Sequence, residues 1–231
     1  TDAVQWMFNE GITTGTSPTT FSPERHLSRG EAATFLYRFM GEPPVVVDPS
    51  SPACLPWHRG RDNPTPADAV QEFIDFVGLT DTTLSEFRQG DSRSGEIEVD
   101  TAANPGPAFN YPTTAYVRLD ASDTWVVIGA ASGAFDVEQP AHDATVSSPM
   151  RTVFDHNASN DGVVLEIWLD GADAPIVDRQ VTTGSGVFAR DTWDVDVDLP
   201  PGVSGPATMI YRSDGMAEPK HVSTHRIVIT P

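Results

Sequence analysis

Residues 2–41 read DAVQWMFNEGITTGTSPTTFSPERHLSRGEAATFLYRFMG and predict two short helices around a loop rich in glycine and threonine. Apolar side chains recur at helical spacing on both sides of that loop. Gly11 follows the first apolar run and Gly41 follows the second, and glycine commonly ends a helix. The apolar positions are Val4, Met7 and Phe8 before the loop, and Ala32, Phe35, Leu36 and Phe39 after it.

Four motifs follow one another within this stretch: an aromatic residue in the first helix (Trp6), GITTGT at 11–16, FSP at 21–23 and SRGE at 28–31. In this order they resemble one repeat of the S-layer homology family, which fastens bacterial surface proteins to the cell wall. The resemblance implies that the motif's arginine, here Arg29, contacts an acidic, often pyruvate-bearing, wall polysaccharide. Trp6 and Glu31 are further candidate contacts to this glycan.

A purely structural interpretation of the same residues stays open. Ser28 and Glu31 have the spacing of a capping box, in which each side chain satisfies a backbone donor at the helix start. Trp6, Phe35 and Phe39 would then pack in the core of a helical hairpin. Arg29 is not needed for capping, and its guanidinium suits two-pronged contact with a carboxylate.

The composition limits the classes of partner. The 231 residues carry a formal net charge of −19, which argues against nucleic acid or an anionic membrane as a partner. No stretch approaches the roughly 20 apolar residues that span a bilayer, so membrane insertion is not expected. The 20 prolines and 18 glycines favour β-rich domains joined by turns. Cys54 is the single cysteine, so no disulfide within the chain is possible.

Changes in pattern along the chain predict a mainly β, multidomain protein. Residues 1–41 form the helical S-layer homology repeat, and the proline-rich residues 42–66 form an extended, semi-rigid linker, in which Val45–Val47 and Trp57 are the candidates to dock on a neighbouring domain. Residues 67–140 predict a small α+β domain, with a helix over 68–78 packed on a sheet. The strands predicted in that domain lie at 96–100, 114–119, 125–129 and 134–138.

Residues 141–231 alternate strands and turns, which favours an immunoglobulin-like β-sandwich. The opening VSSP, the central VVLEIWLDG and the late ATMIYRSDG resemble the immunoglobulin-like module of bacterial spore-germination and lipoprotein surface proteins. That resemblance implies a binding or scaffolding role. The predicted strands lie at 145–147, 163–169, 176–181, 193–199, 207–212 and 225–229.

The search for catalytic chemistry finds little. Cys54 lies in the proline-rich segment, a poor place for a positioned nucleophile, and no G-x-S-x-G motif is present. His221 and His225 have a spacing that could place them on one face, but we interpret them as two surface histidines because no third ligand is near in sequence. We therefore expect no catalytic residues and no bound organic cofactor.

The acidic residues leave two interpretations open. Asp194, Asp196 and Asp198 alternate along a predicted strand, so all three point to one side. Oxygen-rich clusters suit Ca²⁺, and an open, solvated acidic face is the alternative. A second group of Asp155, Asn157, Asn160 and Asp161 has loop chemistry without EF-hand spacing.

These observations predict a non-enzymatic, extracellular bacterial surface protein anchored to cell-wall polysaccharide through its S-layer homology region. Its β-rich domains would act as spacers or binding surfaces, with other surface proteins or copies of itself as possible partners. Two alternatives remain: a self-assembling subunit of a surface layer or filament, and the accessory region of a cell-wall-active enzyme.

Overall fold

The computed structural model describes residues 6, 7, 32, 35, 55–58, 62–101, 111–156, 162–181, 191–214 and 219–231. Trp6, Met7, Ala32 and Phe35 have helical backbone, at positions where the sequence predicts helices. The rest of the predicted helical repeat lies outside the described residues. Most of the remaining described residues belong to β-strands, so the protein is mainly β, as predicted.

The helix α1 spans Pro66–Val77. Thr65 and Asp68 form its capping box, and Pro66 stands at the start of the helix, where its missing N–H is no loss. Gly78 ends the helix in the left-handed region at φ 75°, which a residue with a side chain rarely adopts. One face of α1 is apolar and buried, and it includes Val70, Phe73, Ile74 and Val77.

The first sheet follows α1 and is antiparallel, with strand order β1-β3-β4-β5 and β2 paired beside β3. The helix packs on one face of this sheet through Ile97, Val99, Ala115, Val117 and Val127. The strands are β1 (Thr82–Leu84), β2 (Arg88–Gln89), β3 (Ser94–Thr101), β4 (Thr113–Leu119) and β5 (Trp125–Ser132).

The rest of the chain forms two further sheets, of order β10-β9-β12-β13-β7 and β11-β8-β6. Strand β7 runs parallel to β13, and the other pairs are antiparallel. The strands are β6 (Phe135–Gln139), β7 (Ala144–Val146), β8 (Met150–His156), β9 (Gly162–Leu169), β10 (Val177–Val181), β11 (Asp191–Val197), β12 (Gly205–Asp214) and β13 (Pro219–Ile229).

The second sheet has apolar side chains on both faces. One face, with Leu165, Met209 and Tyr211, packs against Phe154 of the third sheet. The opposite face contributes Trp168, Ile210 and Val222 to the same core as α1 and the first sheet. Strand alternation produces this division, because successive side chains of β9 and β12 point to opposite faces.

Hydrogen bonds also join the first and second sheets. The amide of Ala130 donates to the hydroxyl of Thr224 at 2.7 Å, and the amide of Ser132 donates to the hydroxyl of Ser223 at 2.9 Å. The edge strand β5 therefore lies against β13, and the first sheet is joined to the second by hydrogen bonds as well as by apolar packing.

Two boundaries differ from the sequence analysis. The strand Phe135–Gln139 falls within the predicted middle domain, yet it pairs with β8 in the third sheet. The described part of the predicted linker is packed. Leu55 and Trp57 are buried in the core between α1 and the first sheet, so Trp57 docks on the neighbouring unit. Pro66 already belongs to the helix. Apolar burial outweighs the extended tendency of the proline-rich segment at these residues.

Candidate functional site

The predicted glycan contacts fall mostly outside the described residues, which include neither Arg29 nor Glu31. Trp6 is described, and its side chain is 49% exposed on helical backbone. That exposure disagrees with the interpretation of Trp6 as a core residue of a hairpin. Phe35 is partly buried, as a residue at the edge of a small core would be.

The three alternating aspartates do lie on one exposed side of β11 and of the residues that follow it. Arg151 on the neighbouring strand binds Asp194 with two hydrogen bonds, Nε to Oδ1 at 2.7 Å and Nη2 to Oδ2 at 2.6 Å. These bonds lower the pKa of Asp194. Asp196 stands directly opposite Arg151 in the strand pairing. Across the described ranges, no three His, Cys, Asp or Glu residues are grouped to hold a metal ion.

The second acidic group is described only at Asp155. Its carboxylate is buried and accepts a hydrogen bond from the hydroxyl of Thr192 at 2.6 Å. Asn157, Asn160 and Asp161 lie outside the described residues.

His221 and His225 share one face of β13, but the prediction that both lie on the surface is wrong for His221. Its ring is buried, with Nδ1 2.8 Å from the carbonyl oxygen of Tyr111. His225 is half-buried, and its ring lies 5.1 Å from that of His142. Burial lowers the pKa of His225. Both rings therefore take part in packing against the loops that contain Tyr111 and His142.

A cleft of about 400 Å³ opens between α1 and the exposed part of the second sheet. Seven side chains line it, from four separate parts of the chain. They are Trp57 before the helix, Glu72, Asp75 and Phe76 on α1, Glu166 and Trp168 on β9, and Arg212 on β12.

Three aromatic rings form the apolar wall of the cleft. Phe76 packs edge-on against both indoles, with ring centroids 6.1 Å from Trp57 and 5.0 Å from Trp168. The indole N–H of Trp57 donates to the carbonyl oxygen of Val127 at 2.7 Å. The indole N–H of Trp168 donates to Oε2 of Glu166 at 3.1 Å. Both indoles are thus fixed by hydrogen bonds as well as by packing.

The polar side of the cleft is built around Arg212. Its Nη2 donates to Oε1 of Glu166, and its Nη1 donates to the carbonyl oxygen of Val77 at 3.1 Å. Its Nε is buried without a hydrogen-bond partner among the described residues. On the helix side, Oε2 of Glu72 accepts a hydrogen bond from the amide of Asn63 at 2.8 Å. The lining therefore sets three carboxylates beside one guanidinium.

Sequence analysis misses this cleft because its residues come from distant segments and form no local motif. The available signal is the alternation around Glu166 and Trp168. Leu165 and Ile167 face the core of the two stacked sheets, so Glu166 and Trp168 must face the other way. A tryptophan and a glutamate on the outward face of a central strand predict a second layer or a ligand on that face.

Comparison with known families gives one match. The family model for the S-layer homology domain matches residues 1–33. The match includes Trp6, Arg29 and Glu31, and it ends before Phe35. Such domains generally bind cell-wall polysaccharide, and their presence indicates a protein held in the cell wall at the cell surface. No curated protein matches the chain. Among the described residues, no helix has the length and apolar character needed to cross a membrane.

Proposed function

We propose that this is a non-enzymatic, extracellular surface protein that holds cell-wall polysaccharide through its S-layer homology region and displays a β-rich body. The observation that carries the proposal is the family match at residues 1–33, which includes the SRGE motif. The body would serve as a spacer or as a binding surface.

The glycan contact is assigned to Arg29, with Trp6 and Glu31 beside it. Arg29 stands at the predicted start of a helix, where backbone donors and the helix dipole favour a carboxylate. The 49% exposure of Trp6 supports a role in contacting sugar, since an exposed indole can pack on the apolar face of a ring.

The distribution of charge supports the same location. Residues 1–41 carry four acidic and three basic side chains, a net charge of −1, so −18 of the total −19 belongs to the rest of the chain. An acidic glycan would be repelled by the body at low salt and could approach the N-terminal region.

The strand order supports an immunoglobulin-type sandwich for the second and third sheets. One sheet contains β6, β8 and β11, and the other contains β7, β13, β12, β9 and β10. We infer that these strands are the counterparts of strands A, B and E facing A′, G, F, C and C′ of that fold. Sandwiches of this type recur in cell-surface proteins, which suits display.

The described histidines and tyrosine in the interior have structural contacts, which supports a non-enzymatic role. His221 contacts the backbone of Tyr111, and His156 stacks on Phe135 with ring centroids 4.8 Å apart. The hydroxyl of Tyr211 lies 2.9 Å from that of Thr152. These contacts hold the side chains in the packed interior.

Sedimentation with purified cell walls tests the proposal. We expect the protein, with any neighbouring repeats of the native gene product restored, to sediment with the walls. Arg29→Ala should weaken sedimentation more than Arg25→Ala, which removes the same charge four residues away. If both variants lose sedimentation equally, the effect comes from positive charge in general and not from a specific contact of Arg29. If the protein does not sediment with the walls at all, wall anchoring is refuted. Ordered arrays of the purified protein in electron micrographs would favour the assembly subunit instead.

A further inference from the structure

We propose that residues 55–58 and 62–63, which we call the strap, release from the body under tension before α1 or any of the sheets unfolds. The strap is the described part of the chain that leads from the N-terminal region into α1. A protein held by its N-terminal region carries load at this point. The role of the strap as a limit on that load rests on the proposed wall anchoring, whereas the order of release does not.

The strap binds the edge of the first sheet. β5 ends the strand order of this sheet, so among the described strands one row of its backbone groups has no neighbour within the sheet. The amide of Trp125 donates to the carbonyl oxygen of Asn63 at 3.0 Å. The indole N–H of Trp57 donates to the carbonyl oxygen of Val127 at 2.7 Å. Because these bonds hold opposite ends of the strap, a pull from the N-terminal side loads the Trp57 bond first and the Asn63 bond second.

Contacts with α1 keep the strap folded on the body at rest. Leu55 and Trp57 are buried, and the indole of Trp57 packs edge-on against Phe73, with ring centroids 5.1 Å apart. The side-chain amide of Asn63 donates to Oε2 of Glu72 at 2.8 Å. Burial of the two apolar side chains stabilises the attached state, so release requires an applied force.

The C-terminal side of the body is attached more extensively. β13 lies inside the second sheet, between β12 and β7, and pairs with β12 from one end to the other. A ladder of backbone hydrogen bonds shares the load among many bonds, whereas the bonds of the strap break in sequence. α1 follows the strap along the chain, but it buries a whole apolar face and is capped at both ends. Unfolding under tension should therefore begin at the strap.

Pulling on single molecules of the whole chain with optical tweezers tests the inference. One handle is attached to the thiol of Cys54, the single cysteine, which stands immediately before the strap in sequence, and the other to a tag after Pro231. We expect a first lengthening of about 30 Å, because residues 55–63 extend by roughly 3.4 Å each. The rest of the body should unfold only at a higher force.

Variants assign the first step to the strap. Trp57→Phe keeps an aromatic ring, removes the indole N–H and should speed the first step about five-fold at a given force, as the loss of one hydrogen bond predicts. Thr224→Val is the matched control. It removes a hydroxyl of β13 that also binds the backbone of β5 at 2.7 Å, and it should leave the first step unchanged. Asn63→Ala removes the bond to Glu72 and should also speed the first step, even if Trp57→Phe fails to fold.

Three results would overturn the inference. One is unfolding of the whole body in a single step. Another is a first step of about 80 Å or more, because a step of that length includes α1. The third is a first step that Trp57→Phe and Asn63→Ala leave unchanged, or that Thr224→Val speeds equally, which would place the release elsewhere. The pulling experiment uses no cell walls, so its failure is distinct from a failure of wall anchoring.

Discussion

The guanidinium of Arg212 donates to the carbonyl oxygen of Val77 across 3.1 Å, linking β12 to the end of α1 over 135 residues of sequence. The last turn of α1 contains no basic residue of its own. Arg212 supplies that positive charge from the second sheet, where it satisfies a carbonyl left without a partner inside the helix. Its other terminal nitrogen binds Glu166, so one side chain holds both walls of the cleft.

Arg212→Ala should lower the free energy of unfolding by about 2–3 kcal/mol, because it leaves the carboxylate of Glu166 without its partner in a partly buried position. The estimate is below the range for fully buried pairs, since both side chains keep some exposure. Urea unfolding measures the loss. Arg151→Ala, which removes an arginine from an exposed pair with Asp194, should change the midpoint of urea unfolding very little. Equal losses of unfolding free energy in Arg212→Ala and Arg151→Ala would contradict this prediction.

Tyr211→Phe should cost about 1 kcal/mol at neutral pH, because the buried hydroxyl pairs with that of Thr152. Burial also raises the pKa of Tyr211 above its ordinary value near 10. The unfolded chain therefore loses this proton first as pH rises above about 10, and the wild type loses stability there. The difference in unfolding free energy between wild type and Tyr211→Phe should therefore become smaller from pH 9 to pH 11, as measured by urea unfolding at each pH.

Thr152→Val is the control for the alkaline effect, because it removes the hydroxyl partner and keeps the phenol. It should destabilise the protein at neutral pH and still show the alkaline loss. Parallel curves of stability against pH for wild type and Tyr211→Phe would refute the assignment to Tyr211.

We expect protonation of His225 to lower the stability of the folded protein at acid pH. Burial and the nearby His142 lower its pKa, while the carbonyls of Ala141 and Pro140 and the charge of Asp143 oppose that shift. As pH falls, the unfolded state therefore binds the proton before the folded state does. The contribution of His225 to stability is complete above about pH 6.5 and decreases as the pH falls below that value. His225→Gln should remove this part of the loss, measured as unfolding free energy at pH 7.5 and 5.5. An unchanged slope in the variant would show that other groups cause it.

Calcium tests the row of aspartates on β11. We expect millimolar calcium chloride and sodium chloride of matched ionic strength to raise the melting temperature equally, by screening like charges. Asp196→Asn should stabilise the protein slightly, whereas Asp194→Asn should not, because it breaks the two-pronged contact with Arg151. A shift specific to calcium, larger than with magnesium, would instead support coordination by Asp194, Asp196 and Asp198.

Local patterns were enough to predict much of the secondary structure. The helix predicted over 68–78 is Pro66–Val77, because its apolar stripe, capping residues and terminal glycine all lie within one segment. The alternating strands β3, β4, β5 and β9 also lie close to their predicted ranges. Strand β8 was missed because nearly every residue of Met150–His156 is buried, so the segment shows no alternation.

Relationships between distant segments were not accessible from these patterns. Nothing local to Phe135–Gln139 indicates that it pairs with β8 and not with β5, its neighbour in sequence. The cleft likewise needs Trp57, Phe76, Trp168 and Arg212 to meet in three dimensions. Of the predicted site residues, Asp194, Asp196 and Asp198 are placed as the alternation requires, while the assignment of Arg29 continues to rest on its motif.

Because both faces of the second sheet are covered, the body of the protein should not tolerate recombination that divides it. A gene encoding only the second half of the body would produce a sheet with Trp168, Ile210 and Val222 open to water, and one encoding only the first half would leave the core of α1 incomplete. Recombination that separates the halves would thus yield two aggregation-prone products. We therefore expect selection to keep α1, the first sheet and the two stacked sheets together in one gene segment. That segment could be joined to different wall-anchoring regions as a unit.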